Sequence, residues 1–250
     1  MGTQSTIGRL VEVRLKERTT STPVCGPWFA GMWGVRSKSQ PGAAAFVPPA
    51  ATLQQLHNAA QRCHGCDLYR NATQAVLGEG PCPARVVLVG EQPGDKEDLT
   101  GHPFVGPAGA LLNRALEDAG IPRSEVYVTN AVKHFKFEER GKRRIHKKPS
   151  DTEIVACKPW LDAELAITKP EIVVCLGATA ARTVIGKAHK VLKERGRFFD
   201  HPVARSVTAT VHPSTILRSP DAEQRHADYE AFVRDLQGVR RKLTKTRTAG

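Results

Sequence analysis

Four short, mainly apolar runs, separated by segments with helical signals, constrain the fold of this chain more than any other feature of its sequence. The runs are Val86–Val89, Val126–Asn130, Ile172–Leu176 and Val207–Val211. Runs of this kind are typical of buried strands, and strands that alternate with helices assemble into a parallel sheet. We therefore predict an α/β fold: a single three-layer domain in which a four-stranded parallel sheet is flanked by helices.

The two ends of the 250-residue chain differ in composition from its middle. Residues 1–45 are rich in Gly, Pro, Ser and Thr and show no sustained hydrophobic period, so we predict a disordered extension. The domain is predicted to span residues 46–240, followed by a basic tail over residues 241–250. No stretch reaches about 18 consecutive apolar residues, which argues against a membrane span. An apolar signal segment is not evident either, which favours a cytoplasmic protein.

The basic balance of the chain points to an anionic partner. Its formal net charge is +12 at pH 7, which favours nucleic acid first among the polyanions. The six cysteines are spread through a chain without secretory marks. They are therefore expected to be free thiols or metal ligands rather than disulfides.

A glycine-rich segment, Gly90–Gly109, joins the first predicted strand to a helix. It carries four acidic residues, namely Glu91, Asp95, Glu97 and Asp98. General acid–base or electrostatic work at a sugar requires carboxylates, although a solvated acidic loop has the same composition. A phosphate-binding P-loop is weakly supported, because the segment lacks the Gly-Lys-Ser/Thr ending.

Polar groups follow three of the predicted strands. Glu91 follows the first strand, Asn130 ends the second and His212 follows the last. The carboxyl ends of parallel strands lie along one edge of the sheet, so we expect these groups to share a crevice. Phe104 can stack on a planar base, and the amide of Asn130 suits the edge of a base. The ordinary alternatives are a core Phe and an Asn that caps a strand.

Cysteines and one histidine offer a set of metal ligands. Cys63 and Cys66 form a C-x-x-C pair, which is a weak signal alone, and Cys157 offers a third thiolate. Either His134 or Cys175 completes the set, but Cys175 lies in an apolar run, where a free Cys is commonly core. Three Cys with one His suit tetrahedral zinc as well as an iron–sulfur cluster.

Residues 133–148 are predicted to be a basic loop with eight Lys and Arg residues against two Glu. Its centre is the sequence Lys142-Arg143-Arg144-Ile145-His146. The composition favours a loop that contacts phosphate. The alternative makes His146 a nucleophile or an acid–base group that the loop delivers to the site.

Six motifs occur in order along the chain: Cys63–Cys66, Gly90–Asp95, Gly101–Gly109, Thr129–His134, Lys142–His146 and His212–Arg218. Together they resemble the uracil-DNA glycosylase superfamily over about Phe46 to Arg240. The nearest relatives in that superfamily are the type 4 and type 5 iron–sulfur enzymes. The chain is most similar to the UdgX group, which carries an inserted Lys-Arg-Arg-Ile-His loop.

The resemblance implies a [4Fe–4S] cluster. Its implied ligands are Cys63, Cys66, His134 and Cys157, which leaves Cys175 in the core. Type 4 enzymes have a Cys at the position of His134, whereas the UdgX group has the His. The cluster is expected to be structural, because the implied substrate chemistry is not redox chemistry.

The resemblance also implies a reaction, in which a uracil is flipped out of DNA into the crevice. Phe104 is expected to stack on the uracil and Asn130 to hydrogen-bond to its edge. Gln92 and Asp95 are expected to shape the pocket. His212 is expected to stabilise negative charge on the departing uracil. The implied partner is uracil-containing DNA, with single strands accepted, and the implied enzyme is a monomer that acts in DNA repair.

The inserted loop implies an unusual end to the reaction. His146 is expected to attack C1′ of the sugar and remain covalently joined to it, with Glu91 orienting or deprotonating the imidazole. Arg144 is expected to fix the loop and contact phosphate, and Asp98 to support the site. The remaining residues implied to contact DNA are Lys142, Arg143 and Ser214. The alternative is a conventional type 4-like glycosylase that turns over and releases abasic DNA.

Overall fold

A computed structural model describes residues 42–247 of the chain, with side-chain burial assigned for residues 42–244. Most of the predicted N-terminal extension and the last three residues of the predicted tail therefore lie outside the described residues. The folded part begins slightly earlier than predicted, because Ala43–Ala45 forms a single 3₁₀ turn. Ala43 in this turn is buried in the same apolar cluster as Leu56 and Trp160.

Helices and strands alternate along most of the described chain. The helices are α1 Leu53–Ala60, α2 Asp95–Thr100, α3 Pro107–Asp118, α4 Asp151–Thr168, α5 Ala178–Val184, α6 Val191–Glu194, α7 Pro213–Leu217 and α8 Ala222–Arg247. The strands are β1 Val86–Gly90, β2 Val126–Asn130, β3 Phe137–Arg140, β4 Arg143–His146, β5 Ile172–Leu176, β6 Phe198–His201 and β7 Ala204–Thr210. All four predicted strands are present as β1, β2, β5 and β7.

The central sheet has the strand order β2-β1-β5-β7-β6. The first four strands are parallel, and β6 pairs antiparallel with β7 at one edge. The α/β prediction is therefore confirmed, but the predicted number of four strands is wrong. Strand β6 has four residues, none of them fully buried, and its register with β7 is irregular. It consequently lacks the apolar run that marks the other strands.

The two faces of the sheet pack against different helices. Val86 and Leu88 of β1 belong to an apolar cluster that includes residues of α3 and α8. Val87 and Val89 belong to a second cluster that includes residues of α4 and α5. Successive side chains of a strand point to opposite faces, so a strand covered on both sides is apolar throughout. This arrangement confirms the three layers.

Helix α4 begins where the sequence predicts. The Ser150 hydroxyl accepts a hydrogen bond from the Glu153 amide at 3.3 Å, and the Glu153 carboxylate accepts one from the Ser150 amide at 2.6 Å. This reciprocal capping box satisfies two amides that the first turn leaves unpaired. Cys157 and Glu164 are both buried residues of this helix.

Two segments predicted as loops contain regular structure. The acidic segment includes α2, whose first turn is capped by the Glu97 carboxylate accepting from the Gly94 amide. The basic segment folds into an antiparallel hairpin of β3 and β4, which we call the basic hairpin. Its turn contains Gly141 at φ 59, a conformation that glycine adopts without steric cost. Charged residues make up most of α2 and of the basic hairpin, so neither shows an apolar period.

Helix α8 is longer than predicted. It continues through residues 241–247, which the sequence assigns to a separate basic tail. Leu243, within this extension, is fully buried, so the extra turns pack against the domain. Among the described residues, no helix has the length and apolar character needed to cross a membrane.

Candidate active site

The carboxyl ends of the parallel strands open into a cavity of about 480 Å³. This is the edge of an α/β sheet where ligands commonly bind. Seven predicted site residues line the cavity: Glu91, Gln92, Phe104, Asn130, His146, His212 and Ser214. Five others lie outside its lining, namely Asp95, Asp98, Lys142, Arg143 and Arg144.

Phe104 and Asn130 line the cavity beside Gly90. A Cβ atom on Gly90 would lie 2.3 Å from Asn130 Oδ1 and 2.8 Å from Phe104 Cζ. Phe104 has φ 56, a left-handed conformation that bulky residues rarely adopt, and its carbonyl lies where a Cβ on Gly109 would be. Asn130 is buried, yet its side-chain amide makes no hydrogen bond to any described residue. Its donor and acceptor are therefore available to a planar ligand.

His212 presents a neutral ring to the cavity. Its Nδ1 accepts a hydrogen bond from the Ser214 amide at 3.1 Å and lies 2.8 Å from the Ser214 hydroxyl. Burial lowers the pKa of His212 to about 4, so the ring is uncharged near pH 7. Because Nδ1 accepts, we assign the single ring proton to Nε2. Nε2 can then donate to an oxygen that gains negative charge in the cavity.

Glu91 and His146 lie together at the mouth of the cavity. Glu91 Oε1 is 3.6 Å from His146 Nε2. Burial lowers the pKa of His146 even though Glu91 opposes this effect, so the imidazole is mainly neutral at pH 7. The other oxygen of Glu91, Oε2, accepts a hydrogen bond from the hydroxyl of Thr179, a buried residue of α5.

The role of Thr179 is not evident from the sequence. The residue stands three positions after the end of β5, at the same sheet edge as the predicted groups. Its place after a predicted strand is the one sequence feature that could have indicated a role in the site, because a single Thr near the start of a helix is common in proteins. In the structure its hydroxyl restricts the Glu91 carboxylate to one orientation, with Oε1 left to face His146.

Gln92 fixes the base of the basic hairpin. Its Nε2 donates to the carbonyls of Lys136 and Lys147, both at 3.1 Å, and its Oε1 accepts from the Lys136 amide at 3.3 Å. The Lys147 amide also donates to the Lys136 carbonyl at 2.9 Å. The Gln92 side chain thus shapes the cavity through the hairpin that carries His146.

Arg144 holds the basic hairpin against α2. Its guanidinium forms ion pairs of 2.6 Å with Asp95 and with Asp98, and Asp98 is fully buried. Its Cζ also lies 5.5 Å from the ring centre of Phe135 and 5.0 Å from that of Phe137. These contacts fit the predicted role of Arg144 in fixing the loop and give Asp98 a specific part in it. The predicted phosphate contact of Arg144 stays a prediction.

Glu97 supports the segment that carries Phe104. Its carboxylate accepts from the amides of Gly94 at 3.1 Å and Gly106 at 2.8 Å, so it joins the starts of α2 and α3. The sequence marked it only as one of four acidic residues. Lys142 and Arg143, by contrast, lie exposed at the turn of the basic hairpin.

A fully buried ion pair lies behind Asn130. Lys133 Nζ is 2.5 Å from Glu164 Oε2, and neither side chain has any exposure to solvent. The same Nζ donates to the Asn130 carbonyl at 2.6 Å and to the Thr129 hydroxyl at 2.8 Å. Glu164 also accepts from the hydroxyl of Tyr127 at 2.9 Å. The strand end that presents Asn130 is therefore held by buried charges.

The predicted metal ligands lie in one region of the fold. Cys63 and Cys157 are buried in the same apolar cluster, and Cys66 packs against it. Cys63 and His134 border a common smaller cavity. Two sulfurs accept hydrogen bonds, Cys157 from the Lys133 amide at 3.2 Å and Cys63 from the Trp160 indole at 3.3 Å.

The donor set fits a soft metal centre, since three thiols and a neutral imidazole are suitable ligands. Burial lowers the pKa of His134 to about 4 and raises that of Cys157 to about 12. As placed, however, no three His, Cys, Asp or Glu side chains of the described residues form a geometric metal site. Cys175 is fully buried in the core cluster between the sheet and α4, which agrees with its assignment to the core.

The structure is that of an α/β protein with a cavity at the carboxyl ends of its parallel strands. A family profile described as the uracil DNA glycosylase superfamily matches residues 77–237. The chain belongs to this superfamily.

Individual relatives agree with this assignment. The chain is 40% identical over 166 residues to a type-4 uracil-DNA glycosylase of Thermotoga maritima, covering 66% of this chain and 83% of that protein. It is 31% identical over 194 residues to a type-4 enzyme of Archaeoglobus fulgidus, covering 74% and 92%. A type-5 uracil-DNA glycosylase of Thermus thermophilus is 32% identical over 161 residues, covering 56% and 68%.

Proposed function

We propose that this chain is a uracil-DNA glycosylase of DNA repair that excises uracil from DNA and releases abasic DNA. The observation that carries the proposal is the cavity in which Phe104, Asn130 and His212 converge. The similarity to type-4 enzymes supports release of the product with turnover. Because the enzyme would act on chromosomal DNA, we expect it to associate with the nucleoid.

The geometry supports a dissociative cleavage. Phe104 stacks on the flipped uracil, and the free amide of Asn130 bonds to its edge, which selects uracil by shape and hydrogen bonding. The C1′–N1 bond then breaks with its electron pair moving onto uracil, and C1′ gains oxocarbenium character. His212 Nε2–H donates to the oxygen that becomes negative. Water attacks C1′ and gives up a proton to the Glu91 carboxylate, which lines the same cavity, and the abasic product forms.

A second outcome is favoured by a specific observation, the neutral imidazole of His146 at the mouth of the cavity, 3.6 Å from Glu91. In this outcome, typical of the UdgX group, the Nε2 lone pair forms a bond to C1′ in place of water. The Nδ1 proton is then lost to solvent. The resulting N-substituted imidazole is a poor leaving group, so the DNA stays attached and the enzyme acts once.

A denaturing gel with a uracil-containing single strand separates these outcomes. Multiple turnovers that yield alkali-labile abasic DNA are expected for the conventional reaction. One adduct per enzyme, resistant to denaturant, is expected if His146 bonds to C1′. His146→Ser should then abolish the adduct and restore abasic release, and an unchanged adduct would remove His146 from this role. Absence of both products from wild-type protein would contradict the glycosylase proposal.

Thr179→Val tests how Glu91 is positioned. The change keeps the volume of the side chain but removes the hydroxyl that bonds to Glu91 Oε2. We expect the single-turnover rate of product formation to fall by about 10-fold to 100-fold, because a misdirected catalytic group costs rate steeply. DNA affinity should be unchanged. Thr179→Ser, which keeps the hydroxyl, should retain most of the rate; equal losses in both variants would contradict this role.

We infer that Cys63, Cys66, His134 and Cys157 hold the iron–sulfur cluster that the family resemblance implies. When bound, the cluster would join the segment before β1, the end of β2 and helix α4. Purified protein is expected to be brown with about four irons per chain. Cys157→Ala should remove the iron, whereas Cys175→Ala should keep it. Colourless protein that carries zinc would contradict the assignment.

A further inference from the structure

Trp160 of helix α4 is fully buried, and its indole N–H donates to a cysteine sulfur. The distance from Trp160 Nε1 to Cys63 Sγ is 3.3 Å. A buried tryptophan needs an acceptor for this N–H, but a neutral thiol is only a weak one. A thiolate is a much stronger acceptor, and the thiolate is the form of cysteine that binds a metal. The contact therefore suits Cys63 as a deprotonated ligand.

The other two cysteines of the proposed ligand set also accept hydrogen bonds from N–H groups. Cys157 Sγ accepts from the Lys133 amide at 3.2 Å, and the Cys66 sulfur accepts from the Leu68 amide. Both of these donors belong to the backbone. Within residues 42–244, Trp160 is therefore the one side chain that donates to a sulfur of this set.

The remaining described cysteines have different surroundings. The Cys82 sulfur acts as a donor instead, to the Ile167 carbonyl at 3.6 Å. Cys175 is fully buried in the core, and its sulfur has no N–H donor among the described residues. N–H donors thus distinguish the three proposed ligands from the other cysteines of the described chain, and this distinction does not depend on the family resemblance.

We propose that Trp160 is a positioning residue that raises the reduction potential of the iron–sulfur centre through its hydrogen bond to Cys63. This inference rests on the ligand assignment under the proposed function, because it takes a bound centre as given. Hydrogen bonds to ligand sulfurs favour the reduced state, which places more negative charge on them. The bond is also shielded from water, which strengthens it. Trp160 thereby makes loss of an electron from the centre less favourable.

Trp160→Phe tests the proposal, because it keeps an aromatic ring in the buried position and removes the N–H. We expect the variant to retain its iron and to have a lower reduction potential, measured by a redox titration of the visible spectrum. The expected shift is about tenfold in the equilibrium between the two redox states, which is about 59 mV for a one-electron couple.

Ile154→Val is the matched control. Ile154 lies in the same helix and in the same apolar cluster as Trp160, and it donates to no sulfur. The control loses buried volume without losing a hydrogen bond, so its potential should equal that of the wild type. An unchanged potential in Trp160→Phe, or an equal shift in Ile154→Val, would overturn the inference.

A second measurement does not depend on the folding of the Trp160 variant. Protein labelled with ¹⁵N at the indole nitrogen is brought to the paramagnetic state of the centre, where we expect a hyperfine coupling to the label. The coupling should persist when Trp28→Phe and Trp33→Phe are combined, because Trp160 is then the only tryptophan. Its absence would overturn the inference.

The iron content of the wild-type protein separates the two levels of the argument. Protein without iron would overturn the ligand assignment and this inference with it. A loaded centre whose potential is the same in the wild type and in Trp160→Phe would overturn this inference alone.

Discussion

Lys133→Met is expected to lower the free energy of unfolding by about 3–5 kcal/mol, the largest stability effect among these predictions. The substitution leaves the Glu164 carboxylate charged, without a cation and without access to water. Both side chains of the pair are completely buried, so no solvent can compensate. The measurement is urea unfolding followed by circular dichroism, with iron content recorded for each sample.

Two further variants make the prediction specific. Lys133→Met combined with Glu164→Gln removes both charges and should recover part of the lost stability, because a buried neutral pair costs less than a single buried charge. Lys136→Met breaks the partly exposed pair with Glu153, at 2.8 Å, and should cost at most about 1 kcal/mol. Equal costs for the Lys133 and Lys136 variants would contradict the prediction.

Gly90→Ala is expected to reduce uracil excision by at least about 100-fold, the largest effect on activity among these predictions. The added methyl would lie 2.3 Å from Asn130 Oδ1 and 2.8 Å from Phe104 Cζ, so both groups must move. These are the two side chains proposed to recognise uracil: Phe104 stacks on its ring, and Asn130 hydrogen-bonds to its edge. The measurement is kcat/KM on a uracil oligonucleotide, compared with the unfolding midpoint.

Gly238→Ala provides the control for this loss. A Cβ at Gly238, within α8, meets only the side chains of Arg241 and Phe198, at 3.8 Å. Alanine in a helix interior is favoured over glycine by about 1 kcal/mol, so stability should rise slightly and excision should not change. If Gly90→Ala retained near wild-type excision, the close packing of Asn130 and Phe104 would not matter to activity.

The central strands and the convergence of site residues were predictable because they follow from simple patterns. Continuous apolar runs mark β1, β2, β5 and β7, and parallel strands bring Glu91, Asn130 and His212 to one edge. Strand β6 was not predictable, since its edge position leaves its side chains half exposed. Helix α2 was not predictable either, because its acidic residues have the composition of a solvated loop. Its first turn is capped by the Glu97 side chain from within the helix, and no Ser, Thr, Asp or Asn precedes it as a signal.

The supporting contacts of the site were the least predictable part. Thr179, Lys133 and Glu164 act through side chains that meet only after the chain has folded. Their positions in the sequence carry no motif that signals the contact. Asp98 is a related case. The resemblance implied that it supports the site, but its partner could not be predicted. The structure shows that the buried Asp98 carboxylate pairs with Arg144.

The chain enters and leaves the basic hairpin at adjacent points. Lys136 and Lys147 are joined by a backbone hydrogen bond of 2.9 Å, and Gln92 binds both. A segment whose ends already meet can be replaced without moving β2, provided that the replacement keeps an arginine to pair with the buried Asp98 carboxylate, as Arg144 does. With that ion pair kept, exchange of the element that carries His146 offers a route to place other nucleophiles beside the same proposed excision site.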